Sequence, residues 1–393
     1  MITRKHISSV PAVILSILLV FAAFGCDGNN STGSYTVSFT IISPYSGVNW
    51  ETFGQYKAAL HVHTTRSDGG NTLAQMVEVH YEQGFDILAI TDHNVLNESW
   101  ITGSGALTPE RYAIITAGTD RGGRGMLRIP AANEQGRGSG ANAIHHLNTF
   151  FAPFNNPTGL PVGFEGLRRN VAAAQELGGF SRVNHPGRYT GGMAGGEAGA
   201  AASNNPATIQ QYVDLFMEFP PETLIGMEII NKADGESVSD RILWDNILKQ
   251  TMPERPVWGF SDDDSHGVNA VGYSFNMFVM ERNDLDNFKS AIVNGNFYAV
   301  ARAARRELGQ TFLGRGPTPV ITNIAVNERA TTITITAENI HRIDWIADGV
   351  MIARGSTLRL KDHKEQIGSY VRANLIGPGG IAFTQPFGII LNQ

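Results

Sequence analysis

Between Lys57 and Val300 short apolar runs alternate with segments of helical period, and no other feature of the chain restricts its fold as much. Ala58 to His63 and Phe85 to Thr91 read as buried strands. Between them Asn71 can cap a helix whose apolar residues Leu73, Met76, Val77 and Tyr81 share one face, with Gly84 as its stop. Leu167 to Leu177, Val238 to Leu248 and Leu285 to Val293 read as further helices, and Phe180 to Val183, Ile225 to Ile230 and Val257 to Phe260 as further strands. Repeated βα units of this length form a barrel or a doubly wound sheet, an α/β class in either case. One stretch breaks the pattern. Gly191 to Asn205 is almost entirely Gly, Ala, Ser and Asn, too poor in large apolar groups for a core element, and reads as a lid or a disordered insertion.

After Pro317 the period shortens to that of strands. Thr331 to Thr336 alternates Thr with Ile333 and Ile335, and Ile343 to Ile346, Gly368 to Leu375 and Ile381 to Phe387 follow between turn residues. The expected organisation is therefore an α/β body over 51–312 and a small all-β sandwich over 317–393. Ahead of the body, Arg4 and Lys5 precede an apolar run from Val13 to Phe24 that suits a secretory signal better than a membrane span. The run ends at Ala23-Phe24-Gly25-Cys26, which resembles the lipobox of bacterial lipoproteins, and Cys26 is the only cysteine. This predicts a signal over 1–26, lipidation of Cys26, and a tether with a lead-in strand over 27–50. The mature protein is expected in the bacterial cell envelope, periplasmic or facing outward, touching the membrane through its anchor alone. A net charge of −6 gives no electrostatic case for a nucleic-acid partner.

The chemistry gathers at strand ends. Eight of the eleven histidines lie between His61 and His266, and all but His80, which sits inside the first helix, fall where strands are predicted to finish. His61 and His63 are two apart on a strand and so project from one face. Asp68 follows, with Gly69 and Gly70 allowing the chain to turn back over the strand end. The second strand closes on Thr91-Asp92-His93; Glu134 follows the strand-like Met126 to Pro130; then come His145-His146, Asn184-His185-Pro186, and the run Ser261 to His266 with three aspartates. All point to the C-terminal mouth of the sheet, where β/α barrels collect their catalytic groups.

The order His-x-His, Ser-Asp-Gly, Thr-Asp-His, a lone Glu, His, His-Pro and Asp-x-His resembles the polymerase and histidinol phosphatase (PHP) family of metal-dependent phosphoesterases, over Lys57 to Val300. The exported form with an appended β domain is similar to the branch that includes carbamate-ester hydrolases. The resemblance implies a distorted seven-stranded β/α barrel holding up to three metals. It gives the first metal His61, His63, Glu134 and Asp264; the second Glu134, His146 and His185; the third Asp68, His93 and His266. His145 is the alternative to His146, which is preferred for the apolar Leu147 after it, and Asp264 fits the Asp-x-His spacing better than Asp262 or Asp263.

Imidazole and carboxylate ligands suit two or three ions of Zn, Mn or Fe. Glu134 as a bridge would bring two ions close enough to share a water and supply hydroxide near neutral pH, so Glu134 and Asp264 are the expected catalytic carboxylates. Arg188 and Arg66 are the nearest candidates for contacts to a substrate phosphate, with surface ion pairs as the alternative. Glu228 and Asn231 line the pocket or cap a strand. The expected function is hydrolysis of a small phosphorylated ester. A carboxylic or carbamate ester cleaved by the same site is the alternative, and a non-catalytic envelope binding protein is the second.

Overall fold

The computed structural model describes residues 38–138, 142–155 and 159–392. The signal segment, Cys26 and most of the tether lie outside the described residues. Among those described, no helix is long and apolar enough to cross a membrane.

The fold is a mixed α/β one built on two large sheets. In the first, the strands Asn133–Arg137, Ile144–Phe150, Phe180–Val183, Leu224–Asn231 and Trp258–Asp262 pair in that order, antiparallel at the first two joins and parallel at the last two. In the second, Gly54–Ala59, Ile87–Leu88 and Leu127–Arg128 run parallel. The Gly54–Ala59 strand also pairs antiparallel with Ser274–Met280, which pairs with Phe297–Ala301. That sheet does not stop at Pro317. Phe297–Ala301 pairs with Gly380–Thr384, which pairs with Tyr370–Gly377, and Phe387–Asn392 lies against Ser38–Ile42 near the N-terminus. A separate three-stranded sheet, Val320–Asn327, Thr332–Glu338 and Thr357–Arg359, places Ile321, Ile333 and Ile335 in one apolar core with Trp345, Leu375 and Leu73.

No continuous ladder closes the two large sheets into a barrel among the described residues. Single bridges join them instead, at Val62–Ser265 and at His93–Glu134. The expected strands Ala58 to His63 and Phe85 to Thr91 are accordingly cut short, for a visible reason. Beyond Ala59 alternate amides turn to side chains: the Leu60 amide donates to Asp262 Oδ1 at 2.8 Å, that of Val62 to Thr91 Oγ1 at 3.0 Å, and that of Thr64 to Asp92 Oδ1 at 2.7 Å. The strand ends spread around a cluster of polar groups and are held by polar groups.

Two further differences have local causes. The Leu73–Glu82 helix is capped by Thr72, not Asn71, because Thr72 and Gln75 form a reciprocal capping box, while Asn71 Oδ1 accepts from the Val268 amide at 3.1 Å. The Gly191 to Asn205 stretch contains a helix, Gly196–Ser203. Its alanines favour helix, and its glycines permit close approach: a Cβ on Gly199 would stand 2.6 Å from Ser239 Oγ, and one on Gly192 2.6 Å from Ser203 Oγ. Small residues here pack against backbone where large ones would not fit.

His80 is fully buried in the first helix, where its Nδ1–H donates to Met76 O at 2.6 Å and its ring meets Phe85 edge-on at 4.9 Å. Burial lowers it from 6.5 to about 4. Since the unfolded chain takes up this proton first, stability from His80 is complete above 6.5 and is lost as pH falls toward 4. His80→Leu should therefore lose less thermal stability than the wild type on acidification across that window, with the rate per folded molecule unchanged. Parallel melting curves for the two proteins would refute this.

Candidate metal centre

Glu134 and His146 lie within the strands Asn133–Arg137 and Ile144–Phe150, the other side chains of the centre on the segments that follow strands, and these segments are tied to one another. The His63 amide donates to Ser265 O at 2.9 Å and that of Ser265 to His61 O at 3.3 Å, which draws Asp264 and His266 beside the His61–His63 pair. On the other flank the Glu134 amide donates to Thr91 O at 3.1 Å and that of Asn94 to Glu134 O at 2.9 Å. Asp92 accepts from the Thr64 amide, and at 2.8 Å from both Thr64 Oγ1 and Ser67 Oγ, which fixes the loop that carries Asp68. Two of the central residues are left-handed, His185 at φ 25° and Asp264 at φ 46°. Such conformations persist in non-glycine residues only where surrounding contacts enforce them. For His185 one of those contacts is its own amide donating to Glu228 Oε2 at 2.8 Å.

Glu134 lies at the middle, 1% exposed. Its Oε1 stands 3.2 Å from His61 Nε2, 3.0 Å from His146 Nδ1 and 3.2 Å from His185 Nε2; its Oε2 stands 3.3 Å from His63 Nε2 and 3.0 Å from His93 Nδ1. Asp264 Oδ1 lies 3.4 Å from His61 Nε2 and 3.1 Å from His63 Nε2. The half-exposed Asp68 closes the open side, with Oδ2 3.6 Å from His93 Nε2 and 3.3 Å from His266 Nε2. All nine residues expected as ligands thus meet in one cluster. They fall into four groups with ligand atoms close enough to hold a metal: His63, Asp68, His93 and His266; His61, Glu134 and His185; His61, His63 and Asp264; and His93, Glu134 and His146. Compared with the sets carried over by resemblance, His63 also joins the Asp68 group, His61 joins Glu134 and His185, and His93 joins Glu134 and His146. His145 stands outside, stacked on Tyr189 at 4.2 Å.

The donor set fits divalent cations. His61 Nε2, His63 Nε2, His146 Nε2, His185 Nδ1 and Asp264 Oδ1 are buried without a hydrogen-bond partner, although carboxylate oxygens stand near several of them. Orphaned polar atoms are costly in a folded interior, and His61 Nε2 and His63 Nε2, which both face Asp264 Oδ1 at 3.4 and 3.1 Å, form an arrangement that a cation would satisfy. The electrostatics agree. Burial pushes the His61 imidazole down, but the carboxylates of Asp264, Glu134 and Glu228 outweigh it and hold the group well above 6.5. Burial likewise pushes Glu134 up, and the surrounding imidazoles of His61, His146 and His93 hold it well below the usual carboxylate range. The cluster concentrates negative charge that positive charge must balance. Nitrogen and oxygen donors without thiolate suit Zn, Mn or Fe(II).

Outside the cluster stands a second layer, built on Glu228 and Asn231, for which the sequence left pocket lining and strand capping open, and on Arg182 and Asn184, to which it gave no role. His61 Nδ1 faces Glu228 Oε1 at 2.7 Å, which places the proton on Nδ1 and leaves the Nε2 lone pair facing the cluster. Glu228 also accepts from Arg182 Nη2 at 3.0 Å and Asn231 Nδ2 at 2.9 Å, and Asn184 Nδ2 donates to Glu134 Oε1 at 2.7 Å. The signal was present: a glutamate and an arginine inside otherwise apolar strands are rarely buried unless paired. The three aspartates divide their work. Asp262 pairs with buried Arg182, Asp263 accepts backbone amides of Gly272, Tyr273 and Ser274, and Asp264 enters the cluster. The two arginines expected to contact a substrate phosphate are held by protein partners. Arg66 is tied to Asn97 Oδ1 and Thr102 O, and Arg188 lies 3.7 Å from Glu236. Lys232, unassigned from sequence, stands 3.3 Å from Asp264 Oδ2.

No family model and no curated protein matches the chain. Among solved structures, a two-domain protein from Bacteroides vulgatus containing a predicted PHP-like metal-dependent phosphoesterase is similar at 14% identity, over 87% of this chain and 88% of that one, with a TM-score of 0.42. An amidohydrolase from Chromobacterium violaceum is similar at 14% identity, over 53% of this chain and 87% of that one, with a TM-score of 0.35. A lesion-specific endonuclease from Pyrococcus furiosus is similar at 14% identity, over 61% of this chain and 56% of that one, with a TM-score of 0.34.

Proposed function

We propose that the chain is a metal-dependent hydrolase of the PHP kind, acting as a phosphoesterase on a small ester and anchored to the bacterial cell envelope through Cys26. The observation that carries the enzymatic part is the meeting of the Glu134 and Asp264 carboxylates with His61 Nε2 and His63 Nε2, two buried nitrogens without a hydrogen-bond partner. A binding scaffold has no use for so many unsatisfied polar atoms at one point, and their cost favours a loaded, working centre. We read the strands around it as the distorted barrel that the resemblance implies, a reading supported by the single bridges Val62–Ser265 and His93–Glu134 that join the two sheets.

His61, His63, Asp68, His93, Glu134, His146, His185, Asp264 and His266 would hold the ions. Divalent ions supply here the charge that lowers the pKa of water and neutralises a phosphoryl oxygen as its charge develops. The chain does the rest. Glu228 keeps the His61 ring turned with Nε2 inward, the His266 Nδ1–H donates to Asp264 O at 2.8 Å and turns its Nε2 to Asp68, and Asn184 fixes the Glu134 carboxylate. His93, His266 and Asp68 are the exposed members, so substrate enters on their side.

The test is metal analysis of the body that begins after Cys26, followed by a panel of phosphomonoesters, phosphodiesters, an oligonucleotide, carboxylic esters and carbamates with Mn, Zn or Fe added back. Two or three ions per chain are expected, with chelation abolishing turnover and lowering the melting temperature. Cleavage confined to carboxylic or carbamate esters would transfer the site to that chemistry. A metal-free protein indifferent to all three metals would leave the scaffold reading in its place.

A further inference from the structure

A cavity of about 470 Å³ opens beside the cluster, lined by Lys232, Ala233, Asp263, Asp264, His266, Asn269, Ala270 and Tyr273. Its size falls within the usual range for small-molecule sites. Lys232 is the one lysine or arginine among these lining residues. That side chain makes a single hydrogen bond, to Glu236 Oε1 at 3.1 Å, and stands 3.3 Å from Asp264 Oδ2. An ammonium has three protons, so donor capacity is left for a ligand.

The backbone beneath Lys232 is unusual. Lys232, Ala233 and Asp234 are consecutive left-handed residues, at φ 49°, 49° and 59°, and none is glycine. Conformations this unfavourable are kept where contacts over-determine them, and the contacts are present. Buried Arg241 grips Asp234 through both carboxylate oxygens, at 2.6 and 2.9 Å, and also donates to Ile229 O at 3.0 Å and Ser237 O at 2.7 Å. Ser237 Oγ adds a bond to Asp234 Oδ1 at 2.8 Å. The turn is rigid, and what it delivers to the cluster is Lys232. Glu236 stands behind the ammonium and 3.7 Å from Arg188, so two cations share one carboxylate at this edge of the centre.

We propose that this cavity is the subsite of the ester, with Lys232 binding a phosphoryl oxygen and the Ala270–Tyr273 side enclosing the organic group. The assignment rests on the phosphoesterase reading and replaces Arg66 and Arg188 as the main phosphate contact.

Inorganic phosphate is the probe, titrated calorimetrically into metal-loaded wild type, Lys232→Met and Lys232→Arg, with metal content measured on each. Loss of a charged hydrogen bond should weaken phosphate binding by roughly 10- to 100-fold in Lys232→Met, with the metals retained, while Lys232→Arg keeps most of the affinity. Ala270→Trp should raise KM for bulky esters more than for small ones and leave phosphate affinity alone. A wild type that binds phosphate and cleaves phosphate esters, with a Lys232→Met variant equal to it in phosphate affinity and metal content, overturns the role of Lys232 and leaves the phosphoesterase reading standing. Unchanged discrimination between bulky and small esters in Ala270→Trp overturns the cavity's role. A wild type that neither binds phosphate nor cleaves phosphate esters overturns both readings together.

Discussion

Glu134→Gln should lower turnover on the order of 1000-fold and remove metal from the centre, with the fold retained. The substitution is nearly isosteric at a position 1% exposed, so packing is preserved. The charge and the hydrogen-bond sense are not. Oε1 is approached at 3.0 to 3.2 Å by nitrogens of His61, His146 and His185, and already accepts from Asn184 at 2.7 Å. An amide nitrogen there would face the Asn184 amide donor to donor. Turned the other way, it would point its protons at His63 and His93, which stand 3.3 and 3.0 Å from Oε2. Neither orientation offers two anionic oxygens to two ions. Steady-state kinetics and elemental analysis decide the matter, with a melting curve to exclude unfolding. A variant that keeps wild-type turnover and full metal content would end the shared-carboxylate account.

The parts of this centre legible in the sequence are those governed by local geometry. Period two put His61 and His63 on one face, and the positions of strand ends gathered His93, Glu134, His146, His185 and Asp264 to one mouth. What resisted reading depends on partners distant in sequence. Arg182 pairs with Asp262, 80 residues on, and Glu228 faces His61, 167 residues back. Nothing in the strand Phe180–Val183 names those partners; it shows only a charge where an apolar residue belongs. The same limit hid the continuation of the long sheet through Phe297–Ala301 into Gly380–Thr384, since alternation gives the face of a strand and not its neighbour. It hid the Gly196–Ser203 helix too, because an Ala- and Gly-rich stretch looks coreless until a close-packed surface is found for it. Arg66 and Arg188 were nominated by closeness in sequence to site residues. Lys232 reaches the centre across a turn held by the Arg241–Asp234 grip, whose partners are distant from the site motifs in sequence.

Arg182→Met should cost about 3–5 kcal/mol of stability, because it strips the only guanidinium from two fully buried carboxylates. Arg182 donates to Asp262 Oδ2, to Glu228 Oε1 at 3.0 Å and to Leu60 O at 3.3 Å, with its guanidinium 5.0 Å from the Phe260 ring centre. A planar fork can serve these acceptors at once, so Arg182→Lys should recover only part of the loss. Methionine fills much of the volume, and the penalty that remains is electrostatic: Asp262 would stand in the interior without its counter-ion, and Glu228 would keep only the His61 imidazole at 2.7 Å. The damage should then travel upward. Glu228 orients the His61 ring, so its release should weaken metal binding by roughly 10- to 100-fold, as loss of a partner behind a ligand does elsewhere. Thermal melts of metal-free protein read the first effect and metal titrations the second. A variant that melts with the wild type and binds metal as tightly would show that Arg182 is a passenger in the strand and that the floor of the centre is held by something else.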